Sequence, residues 1–430
     1  MRFLHTADIH LDSPLTGLSA ANDLPLDRLR ESTRQALANL VDYALAEAVD
    51  FIVIAGDLYD GTWHDFTTGL YFVRQMARLD QAGIPAYVVL GNHDAENRLT
   101  RKLTLPGNVH VFPAERAETV FLPDRSVALH GRSFPTAAVG DNLVLAYPPA
   151  APGCFNIGLL HTAAGGREAH ANYAPCALSD LLAKGYDYWA LGHVHAREVL
   201  HEHPHIVFPG NLQGRHIRET GTKSFTAVRV ENGRVVAADP VAADVVRWLR
   251  CPVDLANAAD LDDAVDAIGA ALLKASDQAE GRLAVVRLVL EGTSPAHAHF
   301  AAQRERLMAE CHAAAARVSS QLWIEKVEVR TRPIFEQTAT AARADAIGAL
   351  IRSVDALARD DEARAALSRE LNELVSRLPD ELKGRWWKGG VETLGGGSRS
   401  PSIDESSLGT VIAAARNLLA VRILDAEGEA

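Results

Sequence analysis

The segment FIVIAGDLYD, residues 51–60, decides the fold. Its first five residues form a continuous apolar run rich in β-branched side chains, which is typical of a strand buried on both faces of a parallel sheet. The run ends at Gly56-Asp57, where a glycine lets the chain leave a strand sharply. The sequence therefore predicts a buried strand that delivers a carboxylate to the edge of a sheet.

The segments on either side repeat this arrangement. Upstream, residues 2–7 form a short apolar strand, and residues 27–49 carry apolar side chains at helical spacing. Downstream, residues 66–81 have a helical pattern and residues 86–90 form a third buried run. Strands that alternate with helices of this length predict an α/β domain built on a parallel sheet.

Between residues 110 and 240 the predicted strands are shorter and helices are fewer. Strands are predicted at residues 155–160, 186–191, 198–208 and 225–230. The first domain, residues 1–240, is therefore predicted to contain two sheets packed face to face, with helices on the outside.

Two further regions follow this domain. Residues 241–334 alternate strand, helix, strand, helix and strand, which predicts a small separate α+β domain. Residues 335–430 are predicted to be mainly amphipathic helix. A glycine- and serine-rich stretch at residues 395–402 has the composition of a flexible linker.

The composition limits the classes of protein to consider. The chain has 430 residues, 48% of them hydrophobic, which fits a soluble globular protein of two or three domains. No apolar run approaches the ~20 residues that span a bilayer, and the first residues lack a secretory signal pattern, so we expect a cytoplasmic location and no membrane partner. With a net charge of −12, any contact with DNA must come from a local basic patch, a bound metal or a partner.

The four cysteines are spread along the chain and form no C-x-x-C pair. Such spacing in a chain with a full-sized core predicts ordinary thiols rather than disulfides or a cysteine zinc site.

Residues of the types that bind metals follow five of the predicted strands, at the strand ends where open α/β sheets form their sites. They are Asp8 and His10, Asp57, Asn92 and His93, His161, and His193 and His195. Taken singly, each group has an ordinary alternative as a surface polar residue, a helix-capping aspartate or a structural histidine. Five successive strand ends of this kind are improbable by chance, so the sequence predicts a metal site.

The residue types and spacing also say something about the site. Asp8 and His10 are two residues apart, so a strand-like backbone would point both side chains the same way. The mixture of carboxylate, imidazole and amide groups suits Mn²⁺, iron or Zn²⁺ better than Ca²⁺. The absence of thiolates in the set argues against a structural zinc site.

The series D-x-H, G-D-x-x-D, G-N-H-D, H and G-H-x-H resembles the calcineurin-like metallophosphoesterase superfamily over residues 1–235. The opening HTADIHLDSPL, residues 160–176 and the stretch FPGNLQGRHIRETGTKSF at residues 208–225 are similar to the SbcD branch of DNA repair nucleases, and within it to the YhaO-type exonucleases of bacteria. The resemblance implies a four-layer α/β/β/α sandwich, with residues 241–334 as a capping domain.

The resemblance also implies roles for the candidate residues. Asp57 would bridge two ions, and His93 would protonate the leaving oxygen or stabilise the charge of the transition state. The first ion would be held by Asp8, His10, Asp57 and His195, and the second by Asp57, Asn92, His161 and His193. Archaeal and eukaryotic nucleases of this type carry a histidine where this chain has Asp60, so the residue that assists His93 stays open.

Three charged or polar residues follow Asn211 on a predicted loop. Arg215, His216 and Arg218 are candidates for binding substrate phosphates, with solvated loop charges as the alternative.

Two further groups have both a functional and an ordinary explanation. His201, His203 and His205 alternate on one predicted strand, either as polar strand residues or as the lining of a substrate channel. The pair Trp386-Trp387 would stack on bases or serve as a packing anchor.

Three functions compete at this point. The first is a Mn²⁺-dependent DNA exonuclease, with single-strand endonuclease activity, that acts in DNA repair. It would work with an SMC-like coiled-coil ATPase of the SbcC or YhaN type bound to the C-terminal helices, and the resemblance implies a homodimer. The second is a small-molecule or phosphoprotein phosphoesterase, which the acidic net charge favours. A non-catalytic scaffold would have lost ligands, whereas every ligand position is filled here.

Overall fold

The computed structural model of the chain describes residues 1–14, 25–60, 66–96, 104–165, 173–333 and 345–377, and a few residues between 408 and 419. The predicted linker at residues 395–402 and the pair Trp386-Trp387 lie outside the described residues. No helix in the described ranges is long and apolar enough to cross a membrane.

The chain divides into two compact units. The first comprises residues 1–251, 270–288 and 312–328, and the second comprises residues 252–269, 289–311 and 329–430. The domain boundaries predicted at residues 240 and 334 stay predictions.

The strands are β1 (Arg2–Thr6), β2 (Phe51–Ala55), β3 (Ala86–Val89), β4 (Val109–Val111), β5 (Glu118–Leu122), β6 (Val127–Gly131), β7 (Phe155–His161), β8 (Tyr188–Gly192), β9 (Glu198–Glu202), β10 (His205–Phe208), β11 (Ser224–Glu231), β12 (Arg234–Ala242), β13 (Val246–Asp254), β14 (Leu283–Glu291), β15 (Thr293–Ser294), β16 (Leu322–Val329) and β17 (Arg332–Pro333). The α-helices are α1 (Leu26–Ala46), α2 (Thr67–Gln81), α3 (Asn92–Glu96), α4 (Leu178–Leu182), α5 (Leu261–Ala279), α6 (His297–Ala302), α7 (Arg304–Val318), α8 (Ala346–Leu357) and α9 (Asp361–Arg377).

Two six-stranded sheets form the first part of the chain. The first has the order β12-β11-β1-β2-β3-β4, in which β1 to β4 are parallel and β11 runs antiparallel to β1 and β12. The second has the order β5-β6-β7-β8-β10-β9, in which β6, β7, β8 and β10 are parallel and the two edge strands are antiparallel. The predicted parallel core is confirmed.

The two sheets share a buried apolar core. The ring of Phe3 stacks on Phe51 at 5.1 Å between centroids, both from the first sheet, and meets Tyr188 of the second sheet edge-on at 5.2 Å. Because the strands of both sheets place alternate apolar side chains in this layer, the sheets pack face to face.

Helices cover the outer faces of both sheets. Leu40 of α1 and Met76 of α2 are buried against the first sheet. Val144, from a short 3-10 helix at Leu143–Ala146, and Leu181 of α4 are buried with Trp189 on the outer face of the second sheet. The arrangement is the four-layer α/β/β/α sandwich that the sequence predicted.

A three-stranded sheet in the order β13-β14-β16 follows the sandwich. Within the first unit, Trp248 and Val285 of this sheet are buried together with Leu29 of α1. In the second unit, Leu408 and Ile412 are buried against the two long helices α8 and α9.

The predicted strand at residues 198–208 is wrong as a single element. The structure has two antiparallel strands, β9 and β10, joined at His203-Pro204. Proline has no N–H to donate and a fixed φ, so it is disfavoured inside a paired strand. His201, His203 and His205 therefore do not alternate on one strand, because His201 lies on β9, His205 on β10 and His203 in the connection.

Candidate metal centre

Five parallel strands end at the same edge of the sandwich, and each delivers part of one cluster. The strands are β1, β2 and β3 of the first sheet and β7 and β8 of the second. The structure brings together all the residues that the sequence assigned to the metal site, which are Asp8, His10, Asp57, Asn92, His93, His161, His193 and His195.

Asp57 lies at the centre of this cluster and is buried. Its Oδ2 is 3.4 Å from Nε2 of His161 and 3.9 Å from Nε2 of His10. Its Oδ1 accepts a hydrogen bond of 3.1 Å from the backbone N–H of His93. One carboxylate oxygen of Asp57 is thus near imidazoles that come from both sheets.

The first group of ligand atoms belongs to Asp8, His10 and His195, and these atoms all lie within 4.8 Å of one another. Nε2 of His195 is 3.1 Å from Nε2 of His10 and 3.7 Å from Oδ1 of Asp8. The carboxylate of Asp8 also accepts the backbone N–H of His193 at 2.9 Å, which ties the loop after β8 to the loop after β1.

A second group includes Asp57 itself. Asp8, Asp57 and His161 offer atoms within 4.8 Å of one another. Oδ1 of Asn92 is 3.0 Å from Nε2 of His161, and the rings of His161 and His193 are 5.2 Å apart edge-on. The two groups therefore share Asp8 and meet at Asp57.

Hydrogen bonds to backbone and carboxylate oxygens set the tautomers of two of these histidines. Nδ1 of His161 is 2.9 Å from the carbonyl oxygen of Ala55, and Nδ1 of His195 is 2.7 Å from Oε1 of Glu219. Both partners are acceptors, so each Nδ1 carries a hydrogen, and Nε2 of each ring is directed at the cluster. This is the usual arrangement of metal-binding histidines.

The charges of the cluster fit a divalent cation. Burial raises the pKa of Asp8, whereas at Asp57 burial is outweighed by the imidazole of His161, which holds the pKa of that carboxylate well below its usual value. Nδ1 of His10 is buried and has no hydrogen-bond partner among the described residues. Buried carboxylates are costly unless positive charge lies beside them, and a bound cation would supply it.

The backbone at the cluster is left-handed at several non-glycine residues. The φ angles are +51° at Asp8, +44° at His10, +53° at Asp57 and +102° at His193. Asp8 and His10 do contribute to one ligand group as expected, but the strand-like backbone expected for them is wrong. β1 ends at Thr6, and the N–H groups of Asp8 and His10 instead bond to the loop after β2, at 2.9 and 3.0 Å.

Gly56 makes the predicted sharp exit from β2. Its φ is +94°, and a Cβ at this position would lie 2.4 Å from Nδ1 of His161. A side chain here would displace a ring of the cluster, so both the conformation and the close approach require glycine.

His93 lies at the border of the cluster, with 37% of its side chain exposed. Its Nδ1 is 3.1 Å from Oδ1 of Asp60, and this hydrogen bond raises the pKa of His93 above its usual value. Asp60 also accepts a hydrogen bond from the hydroxyl of Ser13. Asp60 is thus the residue that contacts and orients His93.

Two carboxylates at the site were not assigned a role from the sequence. Asp94 accepts the backbone N–H groups of Leu58, Tyr59 and Gly91 at 3.0 to 3.2 Å, and burial together with the nearby Asp57 raises its pKa to about 7. The signal for Asp94 was its place in the G-N-H-D motif.

Glu219 is the second missed carboxylate, and it contacts His195 from a distance of 24 residues along the chain. It lies in the stretch HIRET, which carried the family resemblance. A single sequence contains no signal that this glutamate is buried against a histidine.

The three candidate phosphate-binding residues differ in their surroundings. Arg215 is largely buried between Glu219 and Asp60, at 2.9 and 3.2 Å. Nearly half of the His216 side chain is exposed, and Arg218 is exposed on the same loop. Their contact with substrate stays a prediction.

Comparison with known proteins places the chain in a family. The profile of the calcineurin-like phosphoesterases matches residues 1–197, and that of the middle domain of the metallophosphoesterase YhaO matches residues 248–332. With this match and the fold and cluster described above, the chain belongs to the calcineurin-like metallophosphoesterases and is a metal-dependent phosphoesterase. Members of this family use a dimetal centre, and the cluster around Asp57 is a suitable place for it.

Within that family the chain is similar to YhaO. It is 38% identical over 299 residues to the uncharacterized metallophosphoesterase YhaO of Bacillus subtilis. The aligned residues make up 69% of this chain and 72% of that protein. The chain therefore belongs to the YhaO group of metallophosphoesterases.

More distant similarities extend beyond this group. The DNA double-strand break repair protein Mre11 of Sulfurisphaera tokodaii is 26% identical over 211 residues, which is 46% of this chain and 50% of that protein. A dimetal phosphatase from Danio rerio aligns with a TM-score of 0.34 and 14% identity, over 57% of this chain and 99% of that one.

Proposed function

We propose that this phosphoesterase is a Mn²⁺-dependent DNA exonuclease that also cuts single strands internally and acts in DNA repair. The observation that carries the proposal is the convergence of oxygen and nitrogen ligands around Asp57, with His93 half exposed beside them. The similarity to Mre11, a protein named for DNA double-strand break repair, supports DNA as the substrate.

The ligands divide into two sets that share Asp57. One ion would be held by Asp8, His10, Asp57 and His195, and the other by Asp57, Asn92, His161 and His193. The support for this division is that His195 and His10 face each other at 3.1 Å, whereas His161 faces Asn92 at 3.0 Å. A pair of bound divalent ions would activate a water molecule and neutralise charge on the phosphoryl oxygens.

His93 supplies the proton for the leaving oxygen. Asp60 binds Nδ1 of the ring, so Nε2 is the atom that holds the transferable proton. The raised pKa of His93 increases the fraction of imidazolium near neutral pH, which is the form that a general acid needs. Asp60 thereby takes the place of the histidine that other nuclease branches carry at this position.

The regions beyond the sandwich select substrate and partner. Residues 241–334 cap the site, and His216 and Arg218 contact substrate phosphates. The C-terminal helices bind an SMC-like coiled-coil ATPase of the SbcC or YhaN type in the cytoplasm, and two copies of the chain form a homodimer. Leu350 and Leu374, which are large apolar side chains exposed on α8 and α9, support a partner-binding role for these helices.

A small-molecule or phosphoprotein phosphoesterase is the second candidate. The net charge of −12 favours it, because a protein that grips duplex DNA over a broad surface usually carries a basic excess.

The test uses metal-free protein reconstituted with Mn²⁺. It is offered end-labelled single- and double-stranded oligonucleotides, a chromogenic phosphodiester and a phosphoprotein, with Asp57→Asn as the matched inactive control. We expect progressive shortening of the labelled strands that Asp57→Asn does not show. Rapid hydrolysis of the small ester or the phosphoprotein with intact oligonucleotides would refute the nuclease and support the second candidate.

A further inference from the structure

The connection between β10 and β11, residues 209–223, reaches the metal cluster, and two of its charged side chains bond to each other there. These are Arg215 and Glu219, which lie four residues apart in the chain. Arg215 was a candidate for binding substrate phosphate, and its contacts indicate a different role.

Arg215 lies between two carboxylates and has only 14% of its side chain exposed. Its Nη1 donates to Oδ2 of Asp60 at 3.2 Å, and its Nη2 donates to Oε1 of Glu219 at 2.9 Å. Each end of the guanidinium is therefore engaged by a residue of this chain. An arginine that binds substrate needs donors directed at the open side of a site.

Each of the two carboxylates bonds to a histidine of the cluster. Glu219 contacts Nδ1 of His195 at 2.7 Å, and Asp60 contacts Nδ1 of His93 at 3.1 Å. The contacts form a continuous chain from His195 through Glu219, Arg215 and Asp60 to His93. This chain joins a proposed metal ligand to the proposed general acid.

The backbone that carries Arg215 is held in place from outside the cluster. Oε1 of Gln213 accepts the backbone N–H of Val245 at 2.9 Å, and its Nε2 donates to the carbonyl of Val246 at 2.7 Å. Nε1 of Trp248 donates to the carbonyl of Gly214 at 2.8 Å. The loop is thus fixed directly before Arg215, which suits a rigid support.

A fixed backbone leaves Glu219 with well-defined partners. It accepts the backbone N–H of Arg215 at 2.8 Å and Nδ2 of Asn211 at 3.1 Å. The guanidinium of Arg215 also donates to both oxygens of this carboxylate, at 2.9 and 3.4 Å. The orientation of Glu219 therefore depends on the guanidinium beside it.

We propose that Arg215 is a positioning residue rather than a contact to substrate phosphate. It holds two carboxylates in fixed positions: Glu219, which is bonded to His195, and Asp60, which is bonded to His93. A planar guanidinium can donate to two carboxylates at once, which an ammonium group cannot do with the same geometry. The inference rests on the proposed metal ligands and on the proposed role of His93, but it does not require DNA to be the substrate.

The consequence of losing Arg215 follows from the contacts. Without the guanidinium, Asp60 and Glu219 are buried carboxylates with one partner fewer, and both histidines lose their fixed orientation. Residues that orient metal-binding histidines typically change metal affinity or activity by about 10- to 100-fold when they are replaced.

The experiment compares Arg215→Met with Arg287→Met. Arg287 forms the matched control because it is also a partly buried arginine, bonded to Glu325 at 2.7 Å on the three-stranded sheet and away from the cluster. The affinity of the metal-free proteins for Mn²⁺ is measured by calorimetry. The kcat and KM for a chromogenic phosphodiester are then measured at saturating Mn²⁺.

For Arg215→Met we expect the affinity of one Mn²⁺ site to fall by about 10- to 100-fold, and kcat to fall at least about tenfold. KM should stay within about threefold of the wild-type value, because no substrate contact is lost. Arg287→Met should match the wild type in all three quantities.

The opposite pattern overturns the proposal. Unchanged Mn²⁺ affinity with a raised KM and a preserved kcat would make Arg215 a substrate contact. If Arg215→Met does not fold, Arg215→Lys decides, since one ammonium cannot hold both carboxylates; wild-type metal affinity and kcat in that variant refute the positioning role. Failure of the wild-type protein itself to bind Mn²⁺ would refute the proposed metal centre, which is a separate result.

Discussion

Two buried arginine–carboxylate clusters in the first unit differ in how their charges are balanced. In the first, Asp244 is bonded by Nε of Arg247 at 3.0 Å and by Nε of Arg282 at 3.0 Å. Nη1 of Arg247 donates to the carbonyl of Gln278 at 2.6 Å, and Glu280 lies 3.3 Å from the same atom. Every charged group of this cluster is paired with another group of the chain.

The cluster at the strand ends is not balanced in this way. Among the described residues there, the carboxylates of Asp8, Asp57, Asp60 and Glu219 outnumber the guanidinium of Arg215 that pairs with two of them. The surplus of acceptors surrounds a small region that imidazole nitrogens also face. We call the fully paired cluster around Asp244 the closed cluster and the cluster around Asp57 the open cluster. The difference indicates that the closed cluster stabilises the fold, whereas the open cluster holds a cation.

The largest effect is expected from Asp57→Asn, which removes the centre of the open cluster. Because Asp57 belongs to both proposed ligand sets, we expect loss of both ions and a fall in kcat/KM of about 10³-fold or more. Metal analysis and hydrolysis of the chromogenic diester measure the two effects. Retention of two ions by this variant would contradict the central place of Asp57.

A substitution in the closed cluster should lower the free energy of unfolding and leave the metal content unchanged. Asp244→Ala leaves the buried guanidinium of Arg247 without its main partner, which typically costs about 3–5 kcal/mol. Urea denaturation of the metal-free protein measures the change. The folded fraction should still bind Mn²⁺ with wild-type affinity, and a lost metal site would show that the two clusters are not independent.

His93→Ala separates chemistry from metal binding within the open cluster. We expect kcat to fall by about 10²- to 10⁴-fold, because a general acid typically contributes that much, while the metal content stays at the wild-type value. His110→Ala, which removes another half-exposed histidine paired with a carboxylate, is the control. Unchanged cleavage by His93→Ala would remove this residue from the mechanism.

Glu219→Gln tests whether the carboxylate of Glu219 orients the ring of His195 in the open cluster. Glutamine keeps the shape but removes the charge that orients His195, so we expect Mn²⁺ affinity to fall by about 10- to 100-fold. Calorimetry measures this directly. Wild-type affinity would show that His195 is oriented by other contacts.

The smallest effect concerns His5, a buried imidazole that is balanced without any cation. Its Nδ1 lies 2.9 Å from the hydroxyl of Tyr188 and its Nε2 lies 3.1 Å from the carbonyl of Leu191, and burial lowers its pKa to about 3. The unfolded chain takes up this proton near pH 6.5 but the folded chain does not. The contribution of His5 is therefore complete above pH 6.5 and is lost as the pH falls.

The expected loss is about 1 kcal/mol between pH 6 and pH 5. Denaturation of the wild type and of His5→Gln over this range measures it, since glutamine can make the same hydrogen bonds without titrating. An equal pH dependence in both proteins would mean that His5 does not remain neutral in the fold.

The sequence predicted the parts of the fold whose signals are local. The bounds of β2 were correct because it is a short run of clear pattern. Strands β5 and β12 were not predicted, because they lie at sheet edges, where partly exposed residues show no regular alternation. The second helix predicted within residues 241–334 is divided into α6 and α7 at Gln303.

The residues of the candidate site also divide into those that local sequence signals located and those whose contacts depend on the folded chain. Its ligands follow strands directly, so motif and strand together located them. The contact between Glu219 and His195 could not be predicted, since it depends on how the loop between β10 and β11 is held by Gln213 and Trp248. The left-handed turns at Asp8 and His10 were missed because the D-x-H motif is equally compatible with an extended backbone.

Asp94 has a consequence for how the enzyme acquires its metal. This side chain fastens the loop after β2 to the loop after β3 through backbone hydrogen bonds, and it belongs to neither proposed ligand set. These contacts between the two loops need no ion, so we expect chelation and reloading of the metal to be reversible without refolding. In such a preformed pocket, divalent metals can exchange, and the ion carried in the cell depends on which metal is abundant.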